Sequence, residues 1–283
     1  MNKINKKIGF IGTGNMGEAF IGAIIKSGLF SPSSIFASDI NKERLTFLNN
    51  HYGISVTDDN FKLFTKSDIV ILAVKPQQME QVLSGIITQK AYGISERKLV
   101  ISIAAGIKIK TIEDLLYAPL DEKKKKNIPV IRVMPNTPVL LLQGMSGLSP
   151  NRFVNREELD MAMAILKASG KVLEFSEKEL DAVTALSGSG PAYVFYMVES
   201  MIKGGVEAGL TQDESRTLSL TTLKGALTMM EELEEAPEAL RQKVTSPGGT
   251  TEAAIKIMEN GGVKETIVKA IAAAAQRSRE LGE

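Results

Sequence analysis

The spacing of hydrophobic positions along the chain changes near residue 175. Before that point, short apolar runs alternate with segments of helical spacing, and the clearest run is Asp68–Val74. Short apolar runs bounded by turn residues are typical of buried parallel strands. After that point only helical patterns follow. The pattern therefore predicts an α/β fold, with a doubly wound sheet domain over residues 1–175 and an all-helical domain over residues 176–283.

The first predicted strand runs into a glycine motif. Lys7–Ile11 is followed by Gly-Thr-Gly-Asn-Met-Gly at residues 12–17, and then by a helical segment, Glu18–Ser27. In that context the glycines let the chain turn tightly and let a pyrophosphate approach the backbone. We predict a Rossmann-type domain that binds a dinucleotide at this turn. The alternative is a glycine loop with a purely structural role.

The residues after the second predicted strand, Ile35–Ser38, bear on the choice of dinucleotide. Asp39 stands where an acid usually bonds the ribose hydroxyls of NAD. Polar and basic residues nearby are candidates for the 2′-phosphate of NADP: Ser38, Asn41, Lys42 and Arg44. The two basic ones also fit an ordinary solvated helix face. These residues leave the choice between NAD and NADP open.

Composition excludes several classes of site and partner. The chain has no cysteine and one histidine, His51, so disulfides, thiolate catalysis and Cys-ligated zinc are excluded, and we predict no metal. The net charge is +1, tryptophan is absent, and the four lysines at 123–126 fit a solvated loop, so we predict no nucleic-acid partner. No stretch reaches the ~18 apolar residues of a membrane span. We expect a cytoplasmic protein without a membrane partner.

A small polar loop, residues 245–251, separates two helical patterns in the second domain. Pro247 fixes its own φ, and the Gly248-Gly249 pair exposes backbone amides. Thr250 or Thr251 is expected to cap the helix that follows. A glycine pair that leads into a helix N-terminus is a natural anion site, because the free N–H groups and the helix dipole point the same way. The alternative is a flexible turn.

The candidate chemistry narrows because the general acid–base group expected for alcohol oxidation is missing. One known arrangement, in the β-hydroxyacid dehydrogenases, places a lysine after the domain junction, where this chain has Val194. Without it, and without a useful histidine, oxidation of an alcohol is poorly supported. Reduction of a C=N bond needs less, because a protonated imine is already electrophilic. The Thr251 hydroxyl is then suited to bond the imine nitrogen, and the Gly248 and Gly249 amides to bind a carboxylate.

The chain resembles the pyrroline-5-carboxylate reductases over nearly its whole length. The matching stretches run in family order: Ile8–Gly17, Ala73–Pro76, Ser102–Gly106, Val130–Pro138, Asp181–Tyr193 and Val244–Thr251. The last two are far more specific than the glycine motif. The resemblance implies NAD(P)H-dependent reduction of the cyclic imine 1-pyrroline-5-carboxylate to L-proline.

The resemblance also implies the site residues. The predicted cofactor-binding residues are Ile11, Gly12, Thr13, Gly14, Asn15, Met16, Ser38, Asp39, Asn60, Ala73, Val74, Lys75, Pro76, Ile103, Ala104, Ala105 and Asn136. The predicted substrate-binding residues are Glu177, Ser246, Gly248, Gly249, Thr250 and Thr251. Thr251 is also the predicted catalytic residue, nearest the imine.

Cofactor and assembly follow from the same resemblance. Many members of the family prefer NADPH, so NADP is the first expectation and NAD the second. Helical domains of the family intertwine into dimers, so we expect a homodimer or a larger homo-oligomer, in which the loop at 245–251 completes a site with the other chain's nucleotide domain. The alternatives are another imine or oxo-acid reductase on the 6-phosphogluconate-dehydrogenase-like scaffold, and a non-catalytic dinucleotide sensor.

Overall fold

The structure is a computed structural model that describes residues 3–92 and 96–282. The strands are β1 (Ile8–Ile11), β2 (Ile35–Ser38), β3 (Ser55–Thr57), β4 (Ile69–Leu72), β5 (Leu99–Ser102), β6 (Val130–Met134), β7 (Gly144–Pro150) and β8 (Gly170–Glu174). The helices are α1 (Asn15–Lys26), α2 (Lys42–Tyr52), α3 (Asn60–Lys66), α4 (Met79–Ile87), α5 (Ile109–Tyr117), α6 (Glu122–Lys125), α7 (Arg156–Lys167), α8 (Leu180–Val183), α9 (Gly190–Glu207), α10 (Gln212–Leu233), α11 (Pro237–Lys243), α12 (Thr250–Asn260) and α13 (Val263–Leu281). Short 3₁₀ turns occur at Pro32–Ser34, Pro76–Gln78, Thr137–Leu141 and Glu177–Glu179, and a π-helical turn, Thr184–Gly188, joins α8 to α9.

The strands form one sheet in the order β3-β2-β1-β4-β5-β6-β7-β8. The first six are parallel, β7 runs antiparallel to β6, and β8 is parallel to β7. The chain begins at β1 and builds outward in both directions, so the order reverses between β1 and β4. Ligands of such sheets bind at the carboxyl ends of the strands beside that reversal. The predicted α/β class is confirmed.

Alternate residues of each strand point into two cores, one on each face of the sheet. One core packs Ile8 and Phe10 of β1 against α1, α2 and α7. The other packs Ile11 of β1 against α3, α4 and α5. Because both faces are covered, β1, β4 and β5 are buried at every position. This two-sided burial explains why the strands read as continuous apolar runs rather than alternating ones.

The described residues form two compact units. One runs up to Ser189 and includes the residues from Ala275 onward, and the other is Gly190–Ala274. Leu180 and Val183 are buried in the first unit against β7, since a Cβ at Gly147 would lie 2.8 Å from Val183 and 3.3 Å from Leu180. The boundary between the two compact units therefore lies after Ser189, later in the chain than the end of the strand pattern near residue 175. The domain boundary at residue 176 stays a prediction.

The second unit has almost no interior of its own. Within its described residues, the buried ones are Ser215 and Ser219, both on α10. Helices α9 and α10 approach closely at Gly205, where a Cβ would lie 2.5 Å from the Ser215 hydroxyl. Large apolar side chains are exposed along these helices and along α12 and α13: Phe195, Tyr196, Leu218, Leu227, Ile257 and Val268. Exposed apolar surface on this scale marks an interaction surface.

A buried lysine makes the stability of the first unit depend on pH. Burial lowers the pKa of Lys98 to about 8, and its ammonium donates to the Ser67 carbonyl. Between that pKa and the ordinary value of 10.5, the unfolded chain carries a proton that the folded protein does not. Stability therefore rises with pH across this interval.

We expect Lys98→Met to remove this pH dependence. Against the wild type, the variant should be more stable near pH 7 by about 1–3 kcal/mol, and the difference should shrink toward pH 10. Urea unfolding over this pH range measures the stability difference, with Lys66→Met, at an exposed position at the end of α3, as the matched control. If the stability difference between Lys98→Met and the wild type did not vary with pH, Lys98 would stay charged in the folded protein.

Candidate active site

The turn after β1 is shaped by close backbone packing. Gly12 has φ +88°, and its N–H donates to the Ser38 carbonyl at 2.9 Å. A Cβ at Gly12 would lie 2.8 Å from the Ala73 carbonyl oxygen, and one at Gly17 would lie 2.6 Å from the Gly12 carbonyl oxygen. The first and third glycines of the motif are therefore required by the fold itself.

Gly14 differs, because neither its conformation nor its packing requires glycine. Its φ is −60°, and a Cβ there would meet no atom within 4 Å. It is the N-cap of α1, and no side chain caps this end, so the Asn15 and Met16 N–H groups have no partner among the described residues. A helix N-terminus with free N–H groups attracts an anion. The open space beside Gly14 fits the pyrophosphate of a dinucleotide.

A pocket of about 240 Å³ adjoins this turn. It brings together ten of the predicted cofactor residues: Ile11, Gly12, Thr13, Gly14, Ser38, Asp39, Asn60, Ala73, Val74 and Lys75. Three more lining residues were missed by sequence reasoning: Ile40, Gln78 and Val82. Of these, Ile40 is 85% exposed, and an apolar residue directly after the acid at a strand end was the available signal.

The other predicted cofactor residues lie outside the lining of this pocket. Asn15 and Met16 begin α1, and Pro76 begins the turn after β4. Residues Ile103–Ala105 follow β5, and the Ile103 N–H donates to the Leu72 carbonyl at 3.1 Å. They share the carboxyl edge of the sheet with the pocket, because β5 is the neighbour of β4. Their role in binding stays a prediction.

Two of the side chains proposed for discriminating between cofactors already have partners. The Ser38 hydroxyl, fully buried, donates to Asn60 Oδ1 at 2.8 Å. Arg44 donates from Nε to the Thr13 carbonyl at 2.7 Å and pairs with Glu18. The Lys42 side chain, in contrast, is exposed and has no partner among the described residues. It is the free cation nearest Asp39 in sequence.

Asp39 is hydrogen-bonded to the protein through both carboxylate oxygens. Its Oδ2 accepts from the Thr13 N–H and hydroxyl, both at 2.8 Å, and its Oδ1 accepts from the Asn41 N–H at 3.0 Å. Burial alone raises the pKa of Asp39, but the hydrogen bonds from Asn41 and Thr13 outweigh burial and hold it below the usual value.

Asn136 contacts protein groups at the carboxyl end of β6. Its Nδ2 donates to the Ser187 carbonyl and hydroxyl, both at 3.3 Å, and its Oδ1 accepts from the Met145 N–H at 2.8 Å. These bonds hold the π-helical turn close to β6, where a Cβ at Gly188 would lie 2.4 Å from Met134 Cε. The predicted contact of Asn136 with the cofactor stays a prediction.

Glu177 lies apart from the nucleotide pocket. Its Oε1 accepts from the Ile109 N–H at 2.6 Å and from Arg132 Nη1 at 3.3 Å. Arg132 is 4% exposed, so this ion pair neutralises a buried cation. Glu177 also lines a separate cleft of about 860 Å³. Its predicted contact with substrate stays a prediction.

The loop before α12 departs from the predicted capping. The N-cap is Gly249, with φ −83° and ψ 169°, and Thr250 and Thr251 are the first two helical residues. Neither threonine is the cap, so that expectation is wrong. The cap is instead the residue directly before Thr250, and no side chain takes the capping role.

The amides of this loop are also distributed differently from the expectation. The Gly248 N–H donates to Glu252 Oε2 at 2.7 Å, and the Gly249 N–H donates to the Ser246 carbonyl at 3.0 Å. The Thr250 and Thr251 N–H groups have no partner among the described residues. The amides that remain free for an anion are therefore those of the two threonines.

Two family models match complementary parts of the chain. One, described as pyrroline-5-carboxylate reductase dimerisation, matches residues 177–281. The other, described as NADP oxidoreductase coenzyme F420-dependent, matches residues 7–106. The pyrroline-5-carboxylate reductase of Methanosarcina acetivorans is 40% identical over 279 residues, which is 99% of each chain. The chain belongs to the pyrroline-5-carboxylate reductase family.

Solved structures of the family share the whole fold. The pyrroline-5-carboxylate reductase of Coxiella burnetii is 36% identical with a TM-score of 0.88, over 99% of this chain and 100% of the other. The pyrroline carboxylate reductase of Plasmodium falciparum, solved with NADP bound, is 32% identical with a TM-score of 0.85, over 100% of both chains.

Residues 3–92 and 96–282 lack the features of a metal site and of a membrane span. This part of the chain holds no cluster of three or more His, Asp or Glu side chains suited to a metal ion. It also has no helix long and apolar enough to cross a membrane. His51 is exposed and stacks on Phe47, with 5.2 Å between the ring centroids.

We expect Gly14→Ala to weaken dinucleotide binding without harming the fold. The added methyl enters the open space beside the α1 N-terminus, so the Kd for NADPH should rise about 10-fold or more. The free energy of unfolding should fall by no more than about 1 kcal/mol. Titration of NADPH fluorescence and thermal unfolding measure the two effects. Gly12→Ala is the contrasting variant, since strain and a clash should destabilise it by about 2 kcal/mol or more. Unchanged affinity in Gly14→Ala would place the pyrophosphate elsewhere.

Proposed function

We propose that this protein reduces 1-pyrroline-5-carboxylate to L-proline, with NADPH as the reductant and NADH as the alternative. The observation that carries the proposal is the similarity to proteins named pyrroline-5-carboxylate reductase, which reaches 40% identity over 99% of the chain. It covers the nucleotide-binding turn and the loop before α12 together. The relatives from Corynebacterium melassecola, Synechocystis sp. and Pseudomonas aeruginosa, which are 40%, 38% and 40% identical, are also named pyrroline-5-carboxylate reductase.

The cofactor proposal is supported from two sides. The relative from Plasmodium falciparum holds NADP, and the family model over residues 7–106 describes NADP oxidoreductases. In this chain, the residues around Gly14 leave the space and the free amides that a pyrophosphate needs. When bound, the reduced nicotinamide supplies the electrons and the hydrogen that reduce the C=N bond.

The chain's own residues need only bind and orient the substrate. We assign its carboxylate to the free N–H groups of Thr250 and Thr251 at the start of α12, and its ring nitrogen to the Thr251 hydroxyl. Ser246, Gly248 and Gly249 shape this loop, and Glu177 remains a proposed further contact. A protonated imine needs no acid from the protein, which suits a chain with no cysteine and one exposed histidine.

We further propose a homodimer or larger homo-oligomer. The model for dimerisation covers residues 177–281, and a second copy would bury the exposed apolar side chains of the second unit. The absence of cysteine agrees with the reducing cytoplasm, which is the proposed location.

The activity test uses purified protein with the cyclic imine and either NADPH or NADH. We expect oxidation of the cofactor matched by formation of L-proline, and initial rates compare the two cofactors. Failure to form proline with either cofactor would overturn the proposal.

Sedimentation equilibrium of the same preparation tests the assembly. It should give at least twice the chain mass of 30.6 kDa, and a monomer would contradict the proposed oligomer.

We expect Thr251→Ala to lower kcat about 10–100-fold, because a positioned hydroxyl is lost from the reacting nitrogen. Thr251→Ser keeps the hydroxyl and should retain most of the rate. Since Thr251 does not cap α12, neither change should lower the melting temperature appreciably. Equal rates in the wild type and Thr251→Ala would remove the hydroxyl from this role.

A further inference from the structure

Thr13, the second residue of the glycine turn, is held from both sides. It is fully buried. Its N–H and its hydroxyl both donate to Asp39 Oδ2 at 2.8 Å, and its carbonyl accepts from Arg44 Nε at 2.7 Å. Every polar group of Thr13 is therefore bonded to one of two side chains that follow β2.

The two side chains that hold Thr13 are themselves fixed. Asp39 Oδ1 accepts from the Asn41 N–H at 3.0 Å. The Arg44 guanidinium pairs with Glu18 of α1 and lies 5.7 Å from the centroid of the Phe47 ring. Glu18 in turn accepts from the Tyr52 hydroxyl at 3.2 Å. The network ties the glycine turn to α1 and α2.

This bonding limits what Asp39 and Arg44 can offer a ligand. A carboxylate has about four acceptor positions, and Asp39 already uses three of them on the protein. Arg44 would have to release Thr13 or Glu18 before it reached a phosphate. Arg44 is thus not free to bind a 2′-phosphate in this arrangement, and Asp39 has about one acceptor position left for a ribose hydroxyl.

We infer that Asp39 and Arg44 are positioning residues that act through Thr13, holding the turn so that the backbone beside Gly14 stays open for either dinucleotide. The inference rests on the proposed function only in taking the ligand to be a dinucleotide. A glycine-rich turn without such support samples many conformations, and ordering it on binding costs affinity. The hydrogen-bond network of Thr13, Asp39 and Arg44, which we call the brace, removes that cost before the ligand arrives. It does so equally for NADH and NADPH.

The first test separates the brace from direct reading of the cofactor. Thr13→Val removes one bond to Asp39 and leaves its charge in place, whereas Thr13→Ser keeps the bond. Arg44→Met frees the Thr13 carbonyl. Under the brace, Thr13→Val and Arg44→Met each raise the Kd of NADH and NADPH about 5–20-fold with the ratio of the two nearly unchanged, and Thr13→Ser stays close to the wild type.

Two other outcomes of this titration overturn the inference. If Arg44→Met raised the Kd of NADPH and left that of NADH unchanged, Arg44 would be a ligand of the 2′-phosphate. Unchanged affinity for both cofactors in Thr13→Val and in Arg44→Met would show that the network does not support the turn. Thr46→Val is the matched control, because its hydroxyl bonds the Lys42 carbonyl on the exposed side of α2.

The second test needs no ligand. Amide hydrogen exchange of the segment 11–17 in the free protein should be faster in Thr13→Val and Arg44→Met than in the wild type, Thr13→Ser and Thr46→Val. If the wild type bound neither dinucleotide, the proposed function would fail while this measurement still decided the brace. Equal protection in all five proteins would overturn it.

Discussion

Contact between the turn after β1 and the end of β4 is the constraint on which the site depends. The Ala73 carbonyl leaves no room for a side chain at Gly12, and the Gly12 carbonyl leaves none at Gly17. The turn is thereby pressed onto the carboxyl edge of the sheet, and α1 starts at the reversal of strand order. Gly14 can then leave the start of α1 open, because the packing is already satisfied by its two neighbours in the motif.

The parts of the site that follow directly from strand order were predictable from the sequence. Residues 11–14 and 73–75 meet because β1 and β4 are neighbours in the sheet, and buried apolar runs identified both strands. The path of a loop after a strand is not encoded in this way, so Ile40 and Gln78 were missed. The bonds of Asp39 were also hidden, since spacing places an acid at the pocket but does not say whether a protein donor or a ligand reaches it first.

In the helical unit, the sequence predicts the helices but not what covers their apolar faces. Its apolar stripes predicted helices correctly, but a stripe looks the same whether its own domain or a second chain covers it. In the described residues of this unit, two serines are buried while Phe195 and Leu227 are exposed. A unit of this kind gains little stability from its own interior. The match to a dimerisation model supplies the partner that the stripe alone could not identify.

The loop before α12 suits a substrate whose carboxylate and reacting nitrogen are close together. In the cyclic imine, the carbon that carries the carboxylate is bonded directly to the ring nitrogen. Glu252 already occupies the Gly248 amide, so the free amides are those of Thr250 and Thr251, on the same turn as the Thr251 hydroxyl. One short segment can therefore bind the anion and orient the nitrogen together. A chain with no cysteine and one exposed histidine can in this way orient the C=N bond for reduction.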